Sequence, residues 1–116
     1  MKQILLVDDE EGLHLLYREE LEAEGYKVHS SLTGEDALQK IKDLSPDLVI
    51  LDINMPGMNG LEVLHRIKEI NPKMPVVLSS SYNEYKQDIS AWISDDYIVK
   101  SDDLNDLKAS VRQLLS

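Results

Sequence analysis

Short apolar runs alternate along this chain with longer segments whose apolar residues recur at helical spacing. The short runs predict strands at 4–7, 26–29, 48–51, 76–78 and 97–99. The longer segments predict helices at 11–24, 33–44, 60–70 and 83–93, and a last helix for which Asp102 or Asp103 is the candidate cap. Because parallel strands need crossover connections, this alternation predicts an α/β fold. We expect a single doubly wound (βα)5 parallel sheet, in one domain over 1–116.

The first predicted helix indicates which side chains should enter the core. Its apolar stripe comprises Leu13, Leu16, Tyr17 and Leu21, and packing is their expected role. Gly25 follows where a C-cap glycine would stand. The histidines lie on separate predicted elements without metal-binding spacing, and we expect them at the surface: His14, His29 and His65.

Charge and composition exclude several classes of partner. The chain has 22 acidic and 12 basic residues, a net charge of −10, which argues against nucleic acid and anionic membranes. Its N-terminal apolar run is too short for a signal peptide, and no run approaches the roughly 20 residues of a membrane span. Cysteine is absent, which fits a reducing compartment. We therefore expect a cytoplasmic protein.

One stretch, DLVILDINMPGMNG at 47–60, ends an unbroken apolar run in a single carboxylate, Asp52. Such a run is typical of a strand that is buried on both faces. In open parallel sheets, ligands bind beyond the carboxyl ends of the strands. That rule selects the candidate site residues Asp8, Asp9, Asp52, the serines at 79–81 and Lys100.

Three carboxylates at one sheet edge repel each other, by about 4 kcal/mol for a pair ~4 Å apart at an effective dielectric of about 20. A proton or a cation must offset that repulsion, and oxygen-only ligands favour a hard cation such as Mg²⁺. Lys100 supplies a second positive charge, and Ser80 a hydroxyl donor. Two cationic centres around an aspartate suit phosphoryl transfer, with Asp52 as the nucleophile.

The same residues carry a resemblance to a known family over nearly the whole chain. They stand in the segments VDD at 7–9, PDLVILD at 46–52, MPGMNG at 55–60, VLSS at 77–80 and YIVK at 97–100. In this order at strand ends, the set resembles the receiver domain of a two-component response regulator. The resemblance implies a flavodoxin-like sheet with strand order 2-1-3-4-5.

The resemblance also implies a role for each residue of the acidic site. Asp52 is similar to the phosphate acceptor of the family, which also contacts the metal. Asp9 resembles the direct Mg²⁺ ligand, and Asp8 resembles the acid that acts mainly through water. Asn54 resembles the residue that gives its backbone carbonyl to the metal.

Three further residues resemble the family's catalytic lysine and its two switch residues. Lys100 is similar to the lysine that pairs with the acceptor and then with the phosphate. Ser80 resembles the hydroxyl residue that contacts a phosphoryl oxygen, and Tyr97 the aromatic residue that turns inward in response. Such coupling turns a local charge change into a surface change. The resemblance also gives Leu13 and Leu16 an alternative place, on a kinase-contact face.

The implied function is a signalling module rather than an enzyme. It would take phosphate from a histidine kinase or phosphotransfer protein and then engage a downstream protein partner. Its only catalysis would be self-phosphorylation from small phosphodonors and self-dephosphorylation. A homodimer through the predicted helix at 83–93, the strand at 97–99 and the last helix is a contact that the resemblance allows. The sequence leaves open whether the chain stands alone or belongs to a longer regulator.

Two positions depart from the family pattern. Ser101 follows Lys100 where the family usually has proline, often with a cis bond. A cis bond before a residue other than proline costs about 3 kcal/mol, so a trans bond is favoured here. A trans bond would place Lys100 differently from the lysine of the family. Ser94, Asp95 and Asp96 replace a small, apolar stretch on the family's usual binding face.

Three other hypotheses compete with this one. A degenerate receiver that only binds proteins would be marked by loss of Asp9, Asp52 or Lys100, and all three are present. An aspartyl-phosphate phosphatase would need a second acid where Asn54 stands, and a cap insertion. A nucleotide-binding domain would need a glycine-rich loop where the acidic residues 8–11 stand.

Overall fold

The computed structural model describes residues 1–80, 94–100 and 103–116 of the chain. Its strands are β1 (Gln3–Val7), β2 (Lys27–Ser31), β3 (Leu48–Asp52), β4 (Val76–Ser80) and β5 (Asp96–Val99). Its helices are α1 (Glu11–Ala23), α2 (Gly34–Leu44), α3 (Gly60–Ile70) and α4 (Asn105–Leu115). The helix predicted at 83–93 and the bond between residues 100 and 101 lie outside the described residues.

All five strands are parallel and form one sheet in the order β2-β1-β3-β4-β5. This confirms the predicted fold and strand order. β3 is central and is buried at every position, because helices cover the sheet on both faces. β1 and β3 are neighbours in register, so the acids that follow or end them meet at the same edge of the sheet.

Side chains alternate between the two faces of the sheet, and each face has its own core. The anchoring face, covered by α2 and α3, buries a cluster that includes Val7, Val49, Leu51 and Leu78. The site face, covered by α1 and α4, buries a cluster that includes Ile4, Leu6, Leu48, Ile50 and Val77. The direction of each strand-end side chain follows from this alternation.

Side-chain caps mark the beginning of α2 and α3, and a glycine follows the end of α1. The Thr33 side chain accepts a hydrogen bond of 3.1 Å from the backbone N–H of Asp36, and α2 begins directly after this cap. Asn59 caps α3 in the same way, at 3.0 Å from the N–H of Glu62. Gly25 follows the C-cap of α1 with φ +97°, which confirms its predicted place.

The limits of β2 differ from the prediction. The strand begins at Lys27 instead of 26 and runs to Ser31, two residues beyond its predicted end. Its pairing with β1, from Gln3 with Lys27 to Val7 with Ser31, sets these limits. Tyr26 lies outside the strand and packs against the site-face cluster.

α1 presents a different face to the core from its predicted stripe. Tyr17 and Leu21 are buried and Leu13 packs partly, but Leu16 is 47% exposed, so its predicted core position is wrong. His14 lies on the buried face instead, three residues before Tyr17 and seven before Leu21. Those intervals are helical, so 14, 17 and 21 form the stripe that packs on the sheet.

The three histidines were predicted at the surface, and of these only His65 is exposed. His14 is 7% exposed, with Nε2 at 2.7 Å from the backbone oxygen of Asp8. A buried imidazole is tolerated when it finds such a partner. His29 is half-buried, with Nε2 at 2.7 Å from Gln3 Oε1. Among the helices described here, none is long and apolar enough to cross a membrane.

Candidate functional site

Polar side chains replace the apolar ones at the carboxyl edge of the site face. Asp8, Asp52, Ser79 and Lys100 each stand two positions after a residue of that face's cluster, namely Leu6, Ile50, Val77 and Ile98. Residues two apart in a strand point to the same side. The alternation that builds the apolar core therefore ends in a polar row on the same face.

The three predicted acids meet at this edge. Asp8, Asp9 and Asp52 offer carboxylate oxygens that all lie within 4.8 Å of one another. Asp8 and Asp52 are 2% and 3% exposed, whereas Asp9 is exposed to solvent. Such a cluster can hold a divalent cation with an open side toward water, and its hard oxygen donors fit Mg²⁺.

Lys100 enters the cluster from β5, although Ser101 follows it. Its Nζ lies 2.8 Å from Asp8 Oδ2 and 3.5 Å from Asp52 Oδ1, and its side chain is 12% exposed. The exposed Glu10 is a more distant partner, at 3.7 Å. The lysine is therefore shared between two buried carboxylates, with Asp8 as its closer partner.

Electrostatics set the protonation of these groups. Burial, and then the charge of Asp8, raise the pKa of Asp52 to about 6, against a smaller opposing effect of Lys100. The pKa of Lys100 is raised: burial lowers it, but its hydrogen bond with Asp8 and the charges of Asp8, Asp52 and Glu10 outweigh burial. At neutral pH the site therefore holds an ionised Asp52 beside a charged lysine.

The backbone after Asp52 turns tightly around the acid. The Asn54 N–H donates to Asp52 Oδ1 at 3.2 Å, and the Asn54 side-chain amide donates to Ser80 Oγ at 3.2 Å. α3 then begins so close to β3 that a Cβ on Gly60 would lie 2.3 Å from the Asp52 backbone oxygen. Only glycine allows this approach, which holds the end of β3 rigidly.

Ser80 and Tyr97 belong to the opposite side of the sheet. Ser80 is fully buried at the end of β4, one residue after the site-face Ser79. Tyr97 is half-buried and packs against the anchoring-face cluster. Tyr97 pairs in register with Leu78, two residues before Ser80, so the two predicted switch residues share a face and lie near each other.

Two residues on the buried face of α1 have polar tips, and the sequence analysis assigned neither of them to the site. His14 Nε2 lies 2.7 Å from the backbone oxygen of Asp8, and Tyr17 is 4% exposed. The carbonyl of Asp8 can only accept, so His14 Nε2 donates that hydrogen bond. The helical interval between 14 and 17 was the available signal, since both are polar-tipped residues on a face that covers the strand ends.

The family model of the response regulator receiver domain matches residues 4–112. The phosphate regulon regulatory protein PhoB of Rhizobium meliloti is 34% identical over 99% of this chain, which spans about half the length of that relative (52%). Sporulation initiation phosphotransferase F of Bacillus subtilis is 39% identical over 72% of this chain and 67% of its own length.

Solved structures show the same likeness. The response regulator TrrA of Thermotoga maritima in complex with Mg²⁺–BeF has a TM-score of 0.96 and 44% identity, over 99% of this chain and all of that chain. A structure of the histidine kinase ThkA in complex with TrrA has a TM-score of 0.94 and 45% identity, with full coverage of both chains.

Proposed function

The chain belongs to the response regulator receiver domain family, and we propose that it works as a phosphoryl-accepting signalling domain over 1–116. A histidine kinase or phosphotransfer protein passes phosphate to Asp52. The observation that carries this proposal is the position of Asp52, a buried acid at the end of the central strand with a lysine and two further acids around it. That arrangement does not suit a degenerate receiver, which would have lost part of it.

Asp52 acts as the nucleophile. One of its carboxylate oxygens forms a bond to phosphorus as the bond between phosphorus and the donor breaks, which leaves an acyl phosphate on the aspartate. With a pKa of about 6, the carboxyl is ionised at neutral pH and ready to attack. Lys100, already 3.5 Å from Asp52 Oδ1, offsets the charge that builds on the phosphoryl oxygens.

The metal site is made by Asp8, Asp9 and Asp52, with the backbone carbonyl of Asn54 as a further ligand. Mg²⁺ bound there neutralises phosphoryl charge and orients the group for transfer. Asp9 is the main direct ligand, because it is exposed and uncommitted to Lys100. Asp8 contributes less directly, since its carboxylate is bonded to Lys100 and to the N–H of Glu10. The Mg²⁺–BeF complex of the TrrA relative supports this choice of metal.

Ser80 and Tyr97 act as the switch. The Ser80 hydroxyl moves to a phosphoryl oxygen, away from the side chain of Asn54 that now contacts it. Tyr97 then turns inward beside Leu78, into the space next to Ser80. The packing of Tyr97 against the anchoring-face cluster supports this coupling, because a change at the site would reach the surface of β5.

The kinase contact lies on the outer face of α1. Leu16 and its neighbour Leu15 are 47% and 65% exposed there, whereas Leu13 packs partly into the core. Exposed leucines beside an acidic site suit a helical partner that must bring its phosphohistidine to Asp52. The complex of ThkA with TrrA supports a kinase as the partner of this fold. We place the protein in the cytoplasm, where such a kinase would present its phosphohistidine.

The downstream contact, including a homodimer, is proposed for the β5 and α4 side. The acids that replace the family's small residues there are engaged within the chain. Asp95 Oδ2 accepts from the N–H of Val76 at 2.7 Å and from Lys68 at 3.0 Å. Asp96 Oδ2 accepts from the Ser110 hydroxyl at 2.6 Å. The Lys68 ion pair offsets the charge of Asp95, and the hydrogen bonds from Val76 and Ser110 give both carboxylates donors within the chain, which lowers the cost of covering them with a partner.

The decisive experiment is intact mass after incubation with acetyl phosphate, with and without Mg²⁺. We expect a single Mg²⁺-dependent phosphoryl adduct on the wild type, none on Asp52→Asn, and an unchanged adduct on the control Asp106→Asn, an exposed acid of α4. Loss of the adduct over time would demonstrate self-dephosphorylation. A stable acyl phosphate on Asp52→Asn would reject the assignment, and no adduct on the wild type would favour the degenerate receiver.

A further inference from the structure

His14 reaches from α1 back to the loop that carries the first two acids of the site. It is the fourth residue of α1 and is 7% exposed, and its Nε2 donates to the backbone oxygen of Asp8 at 2.7 Å. Among the turn and loop contacts of the described residues, no backbone N–H donates to that oxygen. The histidine therefore supplies the donor that a buried carbonyl needs.

Packing alone does not account for an imidazole at this position. Its Nδ1 is buried and has no hydrogen-bond partner among the described residues, so the ring brings a polar atom that its surroundings leave unpaired. A leucine would cover the same strand ends without an unpaired nitrogen. The bond to Asp8 is the described contact that uses the polar character of the ring.

This bond acts on Asp9 through the peptide group that joins the two acids. The Asp8 carbonyl and the Asp9 amide form one planar unit, so an oxygen that is held in place also orients the Asp9 backbone. The Asp8 carboxylate has its own partners, Lys100 Nζ at 2.8 Å and the Glu10 N–H at 3.0 Å. Asp9 is exposed, and within the described part of the chain its carboxylate has no hydrogen bond or ion pair. The direction of the Asp9 side chain therefore depends on its backbone.

We propose that His14 is a positioning residue, which holds the peptide between Asp8 and Asp9 so that the Asp9 carboxylate is presented to Mg²⁺. The inference rests on the proposed phosphoacceptor function and adds a residue to its metal site. A ligand that is already oriented binds more tightly, because less conformational freedom is lost on binding. His14 supplies this orientation from the buried face of α1, and it does so without coordinating the ion itself.

The first test is calorimetric titration of the protein with Mg²⁺. His14→Leu removes the donor and keeps an apolar side chain, and we expect its Kd to rise about fivefold, less than for the loss of a direct ligand. His14→Gln keeps an amide N–H near the position of Nε2 and should restore the Kd to within about twofold of the wild type. The control His65→Leu changes an exposed histidine of α3 and should leave the Kd unchanged.

A double variant separates positioning from a purely structural role. If His14 acts through Asp9, adding His14→Leu to Asp9→Ala should leave the Kd where Asp9→Ala alone puts it. An effect of His14→Leu that persists in full without Asp9 would overturn the proposal. An unchanged Kd in His14→Leu, together with lower stability in urea, would do the same. If His14→Leu failed to fold, His14→Asn, whose amide is too short to reach the carbonyl, would take its place.

The wild type offers a measurement that needs no substitution. In Mg²⁺-free protein, ¹⁵N spectra of the imidazole should show a proton on His14 Nε2. A proton on Nδ1 alone would reject the proposal, because Nε2 could not then donate to a carbonyl. A wild type that binds Mg²⁺ but takes no phosphate would reject the proposed function alone, since the comparison of Kd values does not depend on phosphoryl transfer.

Discussion

The same strands form both faces of the sheet, but the side chains at their carboxyl ends differ in polarity between the two faces. On the anchoring face, the last apolar residues of β1, β3 and β4 are Val7, Leu51 and Leu78, all fully buried among apolar neighbours, and the buried Ser80 follows at the end of β4. On the site face, the next residues of the same strands are Asp8, Asp52 and Ser79, and Lys100 completes the row. In each case, a buried apolar side chain and a charged or polar side chain are therefore neighbours in sequence but lie on opposite faces of the sheet.

This difference shows how a receiver holds a charged site rigidly. A carboxylate on a loop would move with the loop, whereas Asp52 is the last residue of a strand whose other side is packed against α3. Apolar packing on the anchoring face stabilises the fold, and the burial of charged groups on the site face reduces that stability. Changes on the first face should therefore appear in stability, and changes on the second in pH dependence or metal affinity.

The largest expected effect tests the anchoring face, at Gly60. In Gly60→Ala the new Cβ would lie 2.3 Å from the Asp52 oxygen and 2.5 Å from the Ile53 Cα, both backbone atoms that cannot rotate away. We expect a loss of about 3 kcal/mol in the free energy of unfolding, measured by urea denaturation.

Gly12→Ala is the matched control for that change. A Cβ at Gly12 meets nothing within 4 Å, and the residue lies in α1. Alanine there should stabilise the protein by about 0.5–1 kcal/mol, through helix propensity. Equal effects of the two substitutions would show that the close approach of α3 to β3 does not hold the strand end.

The next prediction tests the site face through pH. The folded-state pKa of Asp52, about 6, lies above its ordinary value of 3.8, so the folded state binds the proton more tightly. This group therefore makes the protein less stable as pH rises from about 4 to about 6, and adds no further change above that range. Asp52→Asn removes the effect and keeps a side chain of similar shape.

In Mg²⁺-free buffer we expect Asp52→Asn to match the wild type near pH 4 and to be more stable by about 2 kcal/mol at pH 7. Urea denaturation at several pH values measures the gap. Asp106→Asn again serves as the control and should show none, because that residue is exposed. A gap that is constant with pH would show that Asp52 carries no buried-charge cost.

The smallest effect distinguishes the two N-terminal acids. Asp8 is paired with Lys100 at 2.8 Å, so a metal must compete for it, whereas Asp9 is exposed to water. We expect Asp9→Ala to raise the Kd for Mg²⁺ about tenfold, and Asp8→Ala to raise it less. Calorimetric titration of both variants tests this order, and equal or reversed effects would overturn the proposed roles.

Much of the fold follows from local patterns that need no knowledge of distant contacts. The apolar run at 48–51 predicts a central strand, and α3 occupies its predicted 60–70 limits because Asn59 supplies a cap. Asp8, Asp52 and Lys100 are predictable as a group because the carboxyl ends of parallel strands meet at one edge. Each of these inferences depends on a rule that holds wherever the segment is placed.

The missed features depend on neighbours that are remote in the chain. The burial of His14 requires an acceptor, the backbone oxygen of Asp8, that only the folded loop supplies. The exposure of Leu16 depends on how α1 is rotated against the sheet, which spacing defines only coarsely.

Lys100, the positively charged residue of the site, directly follows the edge strand β5. The two buried acids that it contacts, Asp8 and Asp52, follow or end the inner strands β1 and β3. If β1 and β3 paired first, they would bring Asp8 and Asp52 together before β5 could supply the counter-charge. Docking of β5 would then relieve the repulsion between Asp8 and Asp52. The ion pairs of Lys100 would stabilise β5 only after β1 and β3 have paired, and the pair β1 and β3 would reach its full stability only after β5 has docked. In that order of pairing, the charges proposed for phosphoryl transfer would also make folding more cooperative.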